Sequence, residues 1–222
     1  MYVVTADQIG SRTDVDRSAA MQRELQERYG DRLSLPVDQT AGDEVQVLTD
    51  RATTATELVL HLARDGHWSI GLGIGDVREP LPDAVRKATG GAFFAAREAV
   101  EAAKRGEARF ALRTDGDDTG LLPAGDVEAI VRLLLLLRDR RTAQGWEAVD
   151  LVRSGRSQKH AAELLGISDA AVSQRLRTAM WSADDDARPA IVRLIASLGG
   201  DDPDEHAAPT SQPAPAGADA GA

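Results

Sequence analysis

The chain contains no cysteine. This excludes a disulfide scaffold, thiolate metal sites and thiol nucleophiles. Aromatic residues make up only 4% of it, which argues against carbohydrate-binding or single-strand nucleic-acid platforms that stack ligands on rings. The longest apolar run is 133–137, far short of the ~20 residues a bilayer span needs. The opening stretch MYVVTADQIGSR lacks the basic region followed by a long apolar segment of a secretory leader. A soluble, cytoplasmic protein with no membrane partner is expected.

What is present is acidic. The 222 residues carry 26 Lys+Arg against 36 Asp+Glu, a formal charge of −10, so nucleic acid is repelled on average and any DNA contact needs a local basic patch. One exists. Residues 153–177 hold five Lys/Arg and two acids. From 199 onward there are five acids, four prolines and no Lys or Arg, the composition of a disordered acidic, Pro/Ala-rich tail.

Between these landmarks the hydrophobic period changes. Strands are expected at 2–6, 33–37, 44–48, 68–74 and 109–112, and helices at 14–29, 54–64 and 92–105. The order β-α-β-β-α-β-α-β implies an α+β domain over 1–113. Residues 114–125, dense in Gly, Asp and Pro, read as a linker. From 126 to 198 every periodic segment is helical: 126–140, 146–153, 158–165, 169–181 and 188–198, with Pro189 suited to a first turn. The apolar stripe 127–137 is either a dimer seam or an interior helix between the domains.

QKHAAELLGISDAAVSQRL (158–176) is the most specific stretch. Small Ala162 permits close helix approach, Leu165 closes a first helix and Gly166 suits a left-handed turn. Ser168 can cap a second helix, and Val172 and Leu176 return apolar side chains to a core. This is a helix-turn-helix pattern. Asp169, Ala170, Ser173, Gln174 and Arg177 would then face base edges of double-stranded DNA in the major groove. Arg153, Arg156 and Lys159 would lie by phosphates, with Ser168 and Arg175 in the same surface, and His160 beside it. A lone unit of this kind binds weakly, so a homodimer is expected.

Three short stretches in the first half suggest a phosphate site. Asp7-Gln8-Ile9-Gly10-Ser11-Arg12 places an acid at a strand end before a tight loop, a loop whose N–H groups can cradle phosphate. Ala41-Gly42-Asp43-Glu44-Val45 puts two acids at a hairpin tip. Ile70-Gly71-Leu72-Gly73-Ile74-Gly75 is a glycine-rich strand against which something can pack closely. If the hairpin lies beside the first strand, Asp7 and Asp43 or Glu44 converge and would need a cation.

On these motifs residues 1–113 resemble the SatD family, whose N-terminal domain is similar to the palm-like, ferredoxin-like (βαββαβ) catalytic domains of class III nucleotidyl cyclases and GGDEF diguanylate cyclases. The resemblance implies a palm-like domain that binds a purine nucleotide with Mg²⁺ through Asp7, Asp43 and Glu44. It also implies that Lys104, on an Ala-rich helix, contacts phosphate and that Arg97 stands for the transition-state arginine. Phe93 replaces the asparagine expected a turn before Arg97, and Ala41 and Val45 alter the hairpin, so no catalytic residue is assigned. The expected function is a dimeric DNA-binding transcriptional regulator that senses the nucleotide. The alternatives are a nucleotidyl cyclase or nucleotidyltransferase tethered to DNA, and a vestigial dimerisation platform.

Overall fold

The computed structural model describes residues 1–40, 42–116 and 120–200. Ala41 of the hairpin, residues 117–119 of the expected linker and the tail from 201 onward lie outside the described residues. Five strands form one mixed sheet: β1 (Tyr2–Gln8), β2 (Asp38–Thr40), β3 (Glu44–Thr49), β4 (Trp68–Ile74) and β5 (Phe110–Thr114), in the spatial order β2-β3-β1-β4-β5. Every neighbouring pair is antiparallel except β4 and β5. A parallel pair requires a crossover, and helix α3 (Gly91–Ala103) supplies it. Helices α1 (Ser18–Tyr29) and α2 (Ala52–Asp65) lie between β1 and β2 and between β3 and β4. The chain is therefore mixed α+β, in the element order that its periodicity suggests.

Strand alternation divides the sheet into two unlike faces. Tyr2, Val4, Ala6, Val45, Val47, Ile70, Leu72, Phe110 and Leu112 point into one large core. The opposite face carries Val3, Leu48 and Ala111, and is covered by α3 through Ala92, Ala96, Ala99 and Ala103. Here the glycines of β4 have a packing reason. A Cβ on Gly73 would sit 2.2 Å from the Ala92 carbonyl oxygen, and one on Gly71 would sit 2.4 Å from the Val100 nitrogen. The partner drawn onto the glycine strand is this alanine-faced helix.

The remaining helices are α4 (Ala124–Asp139), α5 (Ala143–Arg153), α6 (Gln158–Leu165), α7 (Asp169–Thr178) and α8 (Trp181–Leu198). They do not pack as one body. Val127, Val131, Leu134 and Leu135 of α4 and Ile191, Val192 and Ile195 of α8 join the sheet's large core; each such buried side chain is worth about 1.5–3 kcal/mol. Helices α5–α7 enclose a core of their own from Ala148, Val149, Ala161, Ala162, Val172 and Leu176. The apolar stripe of α4 is thus chiefly an interior seam, which leaves Ile130 and Leu133 as its exposed part. No helix among the described residues is long and apolar enough to cross a membrane.

Three expected elements are corrected. Residues 33–37 are not a strand: Ser34 donates to β3, at the Leu48 oxygen, whereas at Val37 the side chains of α1 take the bonds a ladder would use, Gln26 Oε1 accepting the N–H at 2.8 Å and Gln22 Nε2 donating to the oxygen at 2.9 Å. The hairpin partner is instead the short β2. The helix expected over 169–181 stops at Thr178, because Met180 adopts a left-handed conformation, φ 52°. The last helix starts at Trp181 and not near 188, which puts Pro189 in its interior. Pro189 is exposed, so the carbonyl it leaves without an N–H partner is on the wet side.

Candidate nucleotide and nucleic-acid sites

The sheet register brings part of the first expected site together. Antiparallel pairing sets Thr40 opposite Glu44, Glu44 opposite Asp7 and Asp7 opposite Ser69. The next row on the same face is Asp38, Gln46, Thr5 and Gly71. Directly opposed residues share a face with Cβ atoms about 5 Å apart, so two rows of polar side chains run across β2, β3 and β1 beside α3. Gln46 Nε2 donates to Thr5 Oγ1 at 3.1 Å and Thr40 Oγ1 donates to Glu44.

Lys104, just past the end of α3, closes this strip. Its Nζ lies 3.2 Å from Asp7 Oδ1 and 2.8 Å from Glu101 Oε1. Partial burial works against its charge, but the bonds to Glu101 and Asp7 outweigh burial and hold the ammonium above its ordinary value. Arg97 is not part of this cluster. It is exposed and sits seven residues earlier on the same helix, roughly 10 Å along the axis. Asp43 precedes β3, and its carbonyl accepts the Gln8 N–H at 3.0 Å.

The loop after β1 is held from within. Gln8 is buried; its Nε2 donates to the Val15 oxygen and its Oε1 accepts the Arg17 N–H, both at 2.8 Å. Gln8 therefore braces the loop instead of facing a ligand, a correction to its expected role. Ile9 donates to the His67 oxygen at 2.7 Å, and Gly10, at φ 69°, turns the chain so that Thr13 and Asp14 donate back to it. Ser11 and Arg12 lie at the half-buried to exposed tip. Ser18 Oγ reaches the Gly42 oxygen at 3.0 Å, tying α1 to the hairpin.

Could these residues hold a metal? Among the described residues no group of three His, Asp or Glu side chains is placed to bind one. Asp7 and Glu44 across the strand pair form a two-carboxylate set. Mg²⁺ commonly binds through one or two carboxylates plus substrate phosphates, so the fit is to Mg²⁺ arriving with a phosphate, with Lys104 on the same anion.

The second site lies in α6 and α7. Ser157 caps α6 by accepting from the His160 N–H, Gly166 takes the left-handed turn at φ 64°, and Ser168 caps α7 by accepting from the Ala171 N–H. Val172 and Leu176 are buried, whereas Asp169, Ala170, Gln174 and Arg177 are exposed and Ser173 is half-buried. Gln174 and Arg177 are hydrogen-bonded to one another. Arg156, Lys159 and His160 are exposed. Arg175 is half-buried against Glu147 at 3.3 Å. The expected role of Arg153 is corrected: it turns inward, its Nη2 lying 3.5 Å from Asp184.

Asp184 lies in no motif of the sequence. Its carboxylate is fully buried in the first turn of α8 and meets four guanidiniums: Arg138 at 2.7 Å, Arg141 at 2.8 Å, Arg188 at 3.2 Å and Arg153. Trp146 of α5 is likewise surrounded, with Arg64, Arg141 and Arg138 at 4.1, 4.7 and 4.9 Å from its ring centre. Arg64 also grips Asp150 through two bonds of 2.7 and 2.6 Å. Arginine pairs and cation–π contacts thus dock α5 onto α2 and α4. The one sequence signal was the i,i+4 spacing of Asp184 and Arg188, hidden by the expectation of a helix beginning near 188. Compared with protein families, curated proteins and solved structures, the chain matches none.

Proposed function

We propose that the chain is a DNA-binding transcriptional regulator whose sheet domain binds a purine nucleotide together with Mg²⁺. The observation that carries this reading is the α6–turn–α7 unit. A capped first helix, a left-handed glycine and a second helix with buried Val172 and Leu176 present a polar, exposed face of the size a major groove admits. Arg156 and Lys159 supply phosphate contacts beside it. The four strands β2-β3-β1-β4 follow the antiparallel order of a split βαβ unit, which supports the palm-like reading and the resemblance to SatD proteins. The polar rows holding Asp7 and Glu44, closed by Lys104, support a nucleotide site there. Exposed Ile130 and Leu133 are the surface on which we place a second copy.

The test of DNA reading is selection from a random duplex library, followed by binding titrations at several salt concentrations. We expect two half-sites about 34 Å apart. Arg177→Ala should weaken the selected site by about 1–3 kcal/mol and relax its sequence preference. Lys159→Ala should weaken all duplexes alike and flatten the salt dependence. A protein that binds every duplex equally, or none, is not this regulator.

For the sheet domain, GTP or ATP with Mg²⁺ should raise the melting temperature, as a ligand of the folded state must, and Asp7→Asn should abolish the rise. The face-to-face placement of Asp7 and Glu44 also favours a second reading, a nucleotidyl cyclase or nucleotidyltransferase. Pyrophosphate release lost in Asp7→Asn would establish that reading instead. No melting shift with any nucleotide would leave the domain a dimerisation platform.

A further inference from the structure

One sizeable cavity is at neither of these sites. It is a cleft of about 640 Å³ between α1 and α2 on one side and α4, the end of α5 and α8 on the other, and it is lined by Arg28, Arg64, Arg138, Arg153 and Arg188. Its size is that of a small-molecule site. Three carboxylates also line it: Glu57 is paired with Arg32 at 2.7 Å, while Glu24 and Asp65, hydrogen-bonded to His61 and to Trp68 Nε1 at 2.9 Å, keep their charge but are exposed, where water and salt screen them. Arg28, at the rim, has no ion pair among the described residues.

The floor of the cleft is short of negative charge. Arg138, Arg153 and Arg188 share the single carboxylate of Asp184 with Arg141. Arg138 is only 5% exposed, and the Nε of Arg153 is buried without a hydrogen-bond partner. Burial first, then the neighbouring guanidiniums, pull Arg138 down to about 9 and Arg153 down to about 10, with Asp184 opposing. Buried cations in excess of their partners are costly, and an unmade bond to a buried charged donor adds to that cost. In a chain of charge −10, such a cluster is not a by-product of general basicity.

We infer that this cleft binds a small polyanion bearing phosphate groups, held by the guanidiniums of Arg28, Arg153 and Arg188, with the buried Arg138 adding positive charge from the floor. The inference is independent of the Asp7 site, since it needs neither Mg²⁺ nor the sheet face. It has a regulatory consequence. Arg153 ends α5, the first helix of the DNA-reading unit, while Arg28 and Arg64 belong to the sheet domain, so the anion would bridge the two bodies and bias their relative orientation.

The test uses the full chain in EDTA, so that the Mg²⁺-dependent site is silent. Inorganic tripolyphosphate, ATP and inorganic phosphate are each titrated by calorimetry, with sodium chloride at matched ionic strength as the control for screening. Tripolyphosphate is expected to bind at a ratio of one and to raise the melting temperature. Arg28→Glu, an exposed substitution that leaves the core intact, should weaken it at least tenfold, and Arg188→Gln should do the same if circular dichroism shows it folded. Asp7→Asn should bind as the wild type does. Preference for ATP over tripolyphosphate would identify a nucleotide; preference for tripolyphosphate or phosphate would identify a simple phosphate anion. Equal binding by wild type and Arg28→Glu, or stabilisation matched by sodium chloride, overturns the inference. So does an Arg28→Glu protein that loses duplex DNA while keeping tripolyphosphate affinity unchanged.

Discussion

Asp184→Asn is expected to lower the unfolding free energy by about 3–5 kcal/mol, read from urea denaturation at neutral pH. The substitution keeps the shape of the side chain, removes its charge and turns one acceptor oxygen into an NH2 donor that guanidiniums cannot use. Asp184 is fully buried, and both its oxygens are in use: Oδ2 faces Arg138, Arg141 and Arg153, and Oδ1 faces Arg188. Without the carboxylate four guanidiniums face one another with no compensating charge, of which Arg138 and Arg141 are themselves buried.

The same residue sets a pH dependence. Burial alone would raise the Asp184 carboxyl, but Arg138, Arg188 and Arg141 overcome burial and hold it below its ordinary value. A depressed folded value means that this stability is complete above the unfolded carboxyl's value, near 3.9. It is lost as pH falls from there through the lower folded value. In Asp184→Asn that share of the acid slope should vanish. A loss under about 1 kcal/mol, with the acid slope unchanged, would show that water or bulk anions already neutralise the cluster.

The second large effect is at Gly73. Gly73→Val should lower the melting temperature by roughly 6–12 °C, the equivalent of about 3 kcal/mol in a chain of this length. The added carbon would meet the backbone of Ala92 and Ala96, and backbone, unlike a side chain, has no other rotamer to adopt. Helix α3 must lift away from β4. Because α3 also delivers Lys104 to Asp7, any nucleotide response should be lost with it. Gly125→Ala is the control. That glycine lies in the first turn of α4 with nothing within 4 Å of an added Cβ, so alanine there should be neutral or stabilising by up to about 1 kcal/mol. Equal melting of Gly73→Val and wild type would mean that the helix does not rest on the strand as described.

These two sites mark the boundary of what the amino-acid order discloses. Strand β4 and helix α6 coincide with the residues expected for them, because both have strong periodicity and clear stops: Gly66 and Gly75 around β4, Ser157 and Gly166 around α6. The pairing of Asp7 with Glu44 was conditional on the hairpin's position, and the register supplies it. Residues 33–37 are not a strand although their apolar alternation is real, because the Val37 backbone bonds to Gln22 and Gln26, 11 to 15 residues earlier. No local pattern announces such a partner. The inward turn of Arg153 is of the same kind. Its basic neighbourhood suggested a phosphate, yet its counter-charge comes from Asp184, 31 residues later. Trp146 carried no signal at all, since cation–π partners on α2 and α4 are visible only once the chain is folded.

The order of the helices has a consequence for how the protein must be made. Helices α4 and α8 both finish the core under the sheet, and α5, α6 and α7 lie between them in the chain. A nascent chain emerging from the ribosome therefore completes the sheet and the DNA-reading unit before α8 is available to cover Tyr2, whose hydroxyl lies against the end of that helix near Gly199. The earlier half waits, apolar face uncovered, for residues that come last. Excising 1–113 as a free-standing piece would leave it permanently in that waiting state, and an insoluble product from such a fragment would report on topology, not on a defect in the domain.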